Sequence, residues 1–453
     1  MVSGLTADLA RFATGLVYDA LPAKAVEWAR TGFTDCVAVM LAGVREPAVA
    51  MIADVLRPQF GASEARIALG RERVPVAIAA MINAAAAHAM DYDDYAFSSH
   101  PSAVLVPALL AVADRHGATG AELVTAYVAG YEVWATLKSR EPDYYAEKGW
   151  HPTGILGPVA AAAAVARLLR LDEHTARRAL SIAASDASGL MANLGTMVKP
   201  WHCARCAGTG VTAVRLAQAG MTANETALEH RQGLLHATSP NGRADLSSAA
   251  SGLGVRWQIV AQGLNVKKYP TVGASQRCID AAIELRSRFT PEPGAIVRIE
   301  ASVSRKFTEV MPYHRPVDTL QAKFSLEFAV ACALVHGRVG LAELSAPVLA
   351  SPAVAALMEK VQIVPSEDYD PAYLHAAKLD WVRVQLADGR VVSSEPVHRA
   401  SGHATRPLSP DLLWAKFSDC LTHAGHAAGA RALFDRLQRV ETLTSAAEID
   451  PGA

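Results

Sequence analysis

The chain has 453 residues, and at roughly 150 residues per domain this length predicts two large or about three smaller compact domains. Hydrophobic residues make up 51% of the chain and charged residues only 19%, which excludes intrinsic disorder and predicts extensive burial. The 43 Lys+Arg balance 44 Asp+Glu without any basic run, so nucleic-acid binding is not expected and an anionic ligand would need a few placed cations.

The N-terminal segment carries Asp8 and Arg11 where a signal peptide needs an apolar centre, so no secretion is indicated. The most apolar stretches, 74–90 and 154–169, are shorter than the roughly 20 residues of a membrane span. The six cysteines are irregularly spaced and do not form a disulfide framework. We therefore expect a cytoplasmic protein that does not associate with membranes.

Up to about residue 265 the sequence predicts helix after helix and no strand. Apolar residues recur at intervals of three and four, as on one face of a helix. The predicted helices cover 21–41, 74–90, 102–115, 120–137, 154–169, 172–184, 206–219 and 224–233.

After Pro270 the pattern changes to mixed helices and strands. Helices are predicted over 275–288 and near 324–336, strands over 295–304 and 361–365, and a hairpin of 381–386 with 391–396 around Asp388-Gly389. The tail, 411–446, is helical again. The fold class is therefore mainly α: a large all-helical domain (1–266 and 400–453) with a smaller α+β domain (267–399) inserted near the C-terminus. A crevice between two such domains is where a small ligand is expected to bind.

Three histidine motifs stand at the start of predicted helices: SHPS (99–102), WHPT (150–153) and KPWH (199–202). Ser102 and Thr153 are predicted N-caps, with His100 and His151 just outside the positive ends of their helices. That position disfavours imidazolium and keeps each ring available as a general base.

Helix N-termini also attract carboxylates, and Lys199 and His202 add a cation and a donor. Together the three motifs predict a site for a small polyanion. Ordinary helix-entry turns are the alternative interpretation. Lys267-Lys268 is either a carboxylate clamp or a solvated hinge.

The acidic run 91–95 (DYDDY) precedes His100 and can orient an imidazole or act as a base. It lacks the EF-hand glycine and a partner carboxylate elsewhere, so no metal site is expected. Cys203-x-x-Cys206 has no second pair to complete a zinc site. Walker A, GxGxxG and GxSxG motifs are absent from the sequence, which leaves cofactor-free acid–base chemistry.

Five ordered motifs resemble the MmgE/PrpD family over nearly the whole chain: HAMDYDD…HPSAVLVPALLA (88–111), GWHPTGILGPVAAAAAVARLLRLD (149–172), GTMVKPWHCARCAG (195–208), KKYP (267–270) and AKFSLEFAVACAL (322–334). Members of this family include 2-methylcitrate dehydratase, cis-aconitate decarboxylase and iminodisuccinate epimerase. The resemblance implies a helical domain with a late α+β lid, a homodimer, a small polycarboxylate substrate, and no cofactor or metal.

The resemblance also implies site residues. Positions that match the family's catalytic motifs are Asp91, His100, His151 and Lys199, and the implied substrate-binding positions are Tyr95, His202, Lys267, Lys268 and Tyr313. Two positions depart from the dehydratases and the decarboxylase: Tyr95 stands where they carry Thr, and 271–273 (TVG) lacks their acidic, His or Cys side chain.

The leading functional hypothesis is a dehydratase of the 2-methylcitrate dehydratase type. His100 or Asp91 would remove the proton α to a carboxylate, His151 would protonate the departing hydroxyl, and Lys199 would help to hold carboxylates. An epimerase of the iminodisuccinate type, a cis-aconitate-type decarboxylase and a non-catalytic carboxylate-binding protein are the alternatives.

Overall fold

The computed structural model describes residues 4–289 and 293–452, which form two compact units. The helical unit comprises residues up to 89, 93–264 and 420 onward, and the α+β unit comprises 90–92 and 265–419. The long central segment of the helical unit ends at residue 264, two residues before the predicted boundary at 266. The chain returns to the helical unit at residue 420, twenty residues after the predicted return at 400. Residues 1–3 and 290–292, which fall within the two expected domains, lie outside the described part.

The helical unit is built mainly from long helices and one two-stranded hairpin. Its helices are α1 (Leu5–Gly15), α2 (Ala23–Gly43), α3 (Pro47–Leu56), α4 (Val76–Ala89), α5 (Pro101–His116), α6 (Gly120–Ser139), α7 (Pro152–Leu168), α8 (Glu173–Ser185), α9 (Val198–Gln218), α10 (Leu234–Ala237) and α11 (Gln258–Gln262), and its hairpin pairs β1 (Ala65–Arg66) with β2 (Arg73–Val74).

Small residues let the central helices of this unit approach closely. α9 packs against α4, α7 and α8. A Cβ added at Gly157 on α7 would lie 3.0 Å from Cys206 Sγ on α9, and one at Gly210 would lie 2.4 Å from the Cβ of Ala161. Real Cβ atoms do not approach to 2.4 Å, so the spacing of α7 and α9 requires glycine at Gly210, whereas a Cβ at Gly157 would force Cys206 to shift by a few tenths of an ångström.

The helical unit differs from the sequence prediction in several details. Residues 224–233 form turns rather than a helix, and the β1–β2 hairpin was not predicted. α9 begins at Val198 instead of 206, so Lys199 and His202 lie within its first turns. Pro200 is tolerated there because the first amides of a helix have no intrahelical acceptor.

The α+β unit contains a four-stranded sheet covered by helices. Its helices are α12 (Gln276–Arg288), α13 (Arg305–Thr308), α14 (Thr319–Ala322), α15 (Leu326–His336), α16 (Ala346–Leu349) and α17 (Pro352–Met358), and its strands are β3 (Ile296–Ser304), β4 (Val361–Ser366), β5 (Tyr369–Asp370), β6 (Tyr373–Ala377), β7 (Trp381–Leu386) and β8 (Val391–Ser393). The chain ends with α18 (Pro410–Ala424), in which the second division falls, and α19 (Ala430–Leu437).

The sheet has the order β4-β3-β7-β8, with β3 and β4 parallel and the other two pairs antiparallel. Alternate residues of β7, Val382, Val384 and Leu386, are buried, as expected for a strand with one face on a core. That core also includes apolar residues of α12, α15 and α17. The predicted strands and the turn at Asp388-Gly389 are confirmed, whereas the short pair β5–β6 was not predicted.

The described residues are mainly helical, in agreement with the predicted fold class. Taken singly, no described helix has both the length and the hydropathy to cross a bilayer; Ala23–Gly43 and Pro47–Gln59 meet that criterion only as a pair, bent by 81° at their junction. All six cysteines are free and buried.

Candidate active site

A buried carboxylate bridges two imidazoles in the helical unit. Asp93 Oδ1 lies 2.9 Å from His88 Nδ1, and Asp93 Oδ2 lies 2.8 Å from His100 Nδ1. The two rings are 4.2 Å apart between centroids. His88 is on the last turn of α4 and His100 is the N-cap residue of α5, so the loop between these helices brings the three side chains together.

The charges in this cluster are set by burial and by the neighbouring groups. Burial, opposed by Asp93 and reinforced by Lys199, lowers the pKa of His88 to about 3. Burial alone would raise the pKa of Asp93, but the two imidazoles, by charge and hydrogen bonds, hold it well below its usual range. The cluster therefore contains an ionised carboxylate beside a neutral His88.

A second imidazole pair lies at the start of α7 and α9. His151, the N-cap residue of α7, has its Nδ1 3.0 Å from Nδ1 of His202. Burial and the charge of Lys199 lower the pKa of both rings, and for His151 the fall is large. Both rings are therefore neutral near pH 7, as the sequence predicted for His151.

Lys199 is a cation that acts on histidines of both clusters. Its charge lowers the pKa of His88, His151 and His202, so its ammonium lies near both imidazole clusters. The side chain is buried on the first turn of α9. One buried cation thus acts on imidazoles of both clusters, and this arrangement suits a ligand with several carboxylates.

The two predicted N-caps are wrong, because the helices begin at Pro101 and Pro152, so that the N-cap residues are His100 and His151, two positions earlier in each case. Proline suits the first helical position because it needs no amide donor there. The hydroxyls bond elsewhere: Ser102 donates to Asp94 Oδ1 at 2.9 Å, and Thr153 Oγ1 accepts from the His100 backbone amide at 3.2 Å. The Thr153 contact ties the starts of α5 and α7 together.

Gly189 forms a close backbone contact with His202. Its φ of +147° is a conformation that residues with a Cβ rarely adopt, and a Cβ there would lie 3.3 Å from His202 Cγ. Its carbonyl accepts from the His151 amide at 2.9 Å. Gly189 therefore fixes backbone beside both imidazoles of the second pair.

Asp91 and Lys267 pair with one another in the α+β unit. Lys267 Nζ lies 2.6 Å from the Asp91 carbonyl oxygen and 3.2 Å from Asp91 Oδ1, and both side chains are almost fully buried. Lys416 Nζ donates in the same way to the carbonyl of Tyr92 at 2.7 Å. Two buried ammonium groups thus hold the 90–92 segment.

The remaining predicted substrate-binding residues are each described by their own local contacts. Lys268 is half-buried, with Nζ 3.8 Å from Asp280 Oδ1 and 5.1 Å from the ring centre of Tyr269. Tyr95 is half-buried in the loop before α5, and Tyr313 packs against the core of the α+β unit.

The ligand atoms of His88, Asp93 and His100 lie within 4.8 Å of one another, close enough to share a metal ion. Within residues 4–289 and 293–452 no other group of three or more such side chains is that close. In the structure the same three side chains are joined by hydrogen bonds between Asp93 and the two Nδ1 atoms.

Sequence reasoning missed the roles of Asp93, His88 and Gly189. It emphasised Asp91, the first acid of the run, whereas the structure places Asp93 in contact with His100. His88 lies one helical turn before the acidic run 91–95, and this spacing was the signal from which a carboxylate shared by His88 and His100 could have been predicted.

Two family models match this chain and identify its family. Residues 7–247 match the model of the MmgE/PrpD N-terminal domain, and residues 269–439 match that of the MmgE/PrpD C-terminal domain. The chain belongs to the MmgE/PrpD family.

Several curated relatives are decarboxylases by name. The chain is 28% identical to the cis-aconitate decarboxylase of Homo sapiens over 76% of this chain and 72% of the relative. It is also 28% identical to the cis-aconitate decarboxylase of Aspergillus terreus, over 98% of this chain and 94% of the relative. A third relative, the cis-aconitate decarboxylase-like protein oryM of Aspergillus oryzae, is 28% identical over 96% and 93%.

Proposed function

We propose that this protein is a cofactor-free lyase that acts on a small polycarboxylic acid, with decarboxylation of cis-aconitate as the first reaction to test. The observation that carries the proposal is that the charge of buried Lys199 acts on both the His88–Asp93–His100 cluster and the His151–His202 pair. The decarboxylase names of relatives that span almost the whole chain support this choice of substrate.

Decarboxylation of an unsaturated tricarboxylate requires a proton donor and a way to stabilise negative charge. The bond to one carboxylate breaks, CO2 leaves, the double bond shifts, and an alkene carbon next to a carboxylate takes up one proton. A bound trianion raises the pKa of the nearby imidazoles, so His100 or His151 can become the acid. Lys199 stabilises the extra charge that develops before the proton arrives.

Incubation of the purified protein with cis-aconitate tests this function. We expect CO2 release with uptake of one proton per turnover, and in D2O one deuterium on the product carbon. The turnover of the His100→Gln and His151→Gln variants is then compared with that of wild type. A ring that transfers the proton should show a loss of at least about a hundredfold when it is replaced. Absence of CO2 release from folded wild-type protein would contradict the decarboxylase assignment.

Dehydration of a hydroxy-polycarboxylate of the 2-methylcitrate type is the second candidate. It is favoured by the presence of two separate imidazole systems, because dehydration needs both a base and an acid for the leaving hydroxyl, whereas decarboxylation needs one proton donor. In that reaction His100 or Asp91 removes the α-proton and His151 protonates the hydroxyl. The assay is the appearance of ultraviolet absorption from the new alkene.

Deuterium exchange separates these lyases from the remaining alternatives. An epimerase exchanges the α-proton with D2O without forming an alkene or CO2, and a carboxylate-binding protein does neither. Three further properties stay predictions: the cytoplasmic location, the homodimer and the role of the α+β unit as a lid. Light scattering of the purified protein measures the oligomeric state.

A further inference from the structure

We propose that Asp93 and His88 are positioning residues that fix the tautomer and orientation of His100 for proton transfer. The inference rests on the proposed function, in which His100 exchanges a proton with the substrate. Asp93 and His88 act through His100, and each has a separate task.

The contacts of His100 determine where its proton lies. Nδ1 of His100 faces Asp93 Oδ2 at 2.8 Å and the backbone carbonyl oxygen of Asp94 at 3.3 Å. A carbonyl oxygen can only accept a hydrogen bond, and so can an ionised carboxylate. Nδ1 therefore carries the hydrogen, and the lone pair of the neutral ring is on Nε2, where it can exchange a proton with a ligand.

His88 has a different task, which is to hold the carboxylate. It occupies Asp93 Oδ1 with its own Nδ1, so that the other carboxylate oxygen stays directed at His100. Its Nε2 is buried, and no residue of the described chain gives that atom a hydrogen-bond partner. Because a buried polar atom without a partner costs stability, packing alone does not explain a histidine here, whereas its bond to Asp93 does.

The charges around the cluster make the carboxylate necessary when His100 is protonated. Lys199 and His151 are among the titratable groups that interact electrostatically with these rings, and Lys199 opposes any added positive charge. Asp93 is the anion that faces both imidazoles. An imidazolium at His100 would therefore form an ion pair with Asp93, as the carboxylate of a Ser-His-Asp triad stabilises its histidine.

The first test replaces Asp93 by asparagine, with Glu132→Gln as the matched control. Glu132 is a buried acid of the same unit that accepts from the backbone amides of Gln258 and Ile259. In the Asp93→Asn protein we expect kcat to fall by at least a hundredfold with KM changed less than threefold, while the control keeps its kcat. Equal loss in both variants, or retention of kcat in Asp93→Asn, would overturn the inference.

The second test separates hydrogen bonding from packing at His88. Asparagine places an amide NH2 near the position of Nδ1, whereas leucine fills similar space without a donor. His88→Asn should therefore keep kcat within about threefold of wild type, and His88→Leu should lower it at least tenfold at an unchanged KM. The same kcat in both variants would contradict a positioning role, and this pair also decides the question if Asp93→Asn does not fold.

A spectroscopic readout keeps this inference distinct from the choice of reaction. In protein with ¹⁵N-labelled histidine, the His100 nitrogens should report the Nδ1–H tautomer in wild type and a changed or mixed tautomer in Asp93→Asn. Wild-type protein that is inactive on cis-aconitate but shows this tautomer shift would refute the proposed reaction and support the positioning role. Identical His100 shifts in the two proteins would refute the positioning role whatever the activity.

Discussion

His151 and His202 share one hydrogen between two nitrogens, because their Nδ1 atoms are 3.0 Å apart. Two N–H groups cannot point at each other, so one ring is the Nδ1–H tautomer and the other the Nε2–H tautomer. The pair therefore presents one Nε2 lone pair and one Nε2–H group, which is a base and a donor held side by side.

This relationship predicts opposite tautomers for the two rings in ¹⁵N spectra. In His202→Phe we expect His151 to lose its fixed tautomer and its pKa to rise, because His202 is one of the groups that lower it. Trp201→Phe is the matched control, since Trp201 is the neighbouring, half-buried residue of α9. Unchanged His151 shifts in His202→Phe would show that the pair is not coupled in solution.

Replacement of Lys199 by methionine should weaken carboxylate binding without unfolding the protein. A charge-assisted hydrogen bond contributes about 1.5–3 kcal/mol, so calorimetry with cis-aconitate should show affinity lower by roughly ten- to a hundredfold. The pKa of His151 and His202 should rise, since Lys199 lowers both. Arg205→Met, an exposed cation on the same helix, should change neither property. A Lys199→Met protein that unfolds but binds normally when folded would mark Lys199 as structural.

Acid should destabilise the protein in part through His88. Its pKa is about 3 in the folded state and about 6.5 when unfolded, so the unfolded state binds more protons between these values. The free energy of unfolding therefore falls as pH decreases below about 6.5, by up to about 1.4 kcal/mol per pH unit for this one group. Urea unfolding at pH 7, 6 and 5 should give a shallower dependence for His88→Asn than for wild type. His174→Asn, which changes an exposed histidine, should follow wild type.

Much of the fold could be predicted because helices such as α4 and α6 bury a continuous apolar face. The error at 224–233 has a tertiary cause: Glu229 Oε2 accepts from the amide and hydroxyl of Thr6, 223 positions away, and Asn224 Oδ1 accepts from the Thr226 amide. The helix propensity of residues 224–233 carries no information about the contact between Glu229 and Thr6. The histidine motifs could be found from sequence because each is a local pattern. The sequence did not show that Asp93 rather than Asp91 is the bridging acid, because that depends on the path of the loop between α4 and α5.

Alanine at Gly189 should disturb the second imidazole pair. The added Cβ would approach His202 Cγ to 3.3 Å and would strain a backbone at φ +147°. We expect kcat to fall about tenfold or more, since small displacements of catalytic groups are costly. Gly117→Ala is a useful control, because it has φ +72° but open space around the Cβ. If both variants lose stability and neither loses kcat, Gly189 has no role in the site.

Lys267→Met should destabilise the protein more than Lys416→Met. Both lysines are buried and donate to backbone carbonyls, but Lys267 also faces the Asp91 carboxylate. Removal of one partner of a buried ion pair costs about 3–5 kcal/mol, and loss of a hydrogen bond to a neutral carbonyl about 1–3 kcal/mol. Urea unfolding measures both. Equal losses would indicate that the Asp91 carboxylate is neutral or satisfied by other groups.

The close approach of α7 and α9 has a consequence for directed evolution of this protein. Gly210 leaves no room for a Cβ against the backbone of Ala161, and Gly157 lies close against Cys206, so the packing of the helices that carry His151 and His202 is tightly constrained. A larger residue at Gly210 would displace α7 from α9. Libraries aimed at a new substrate would do better in the loops 95–98 and 190–197, where changes can reshape the surroundings of the imidazoles while their spacing is kept.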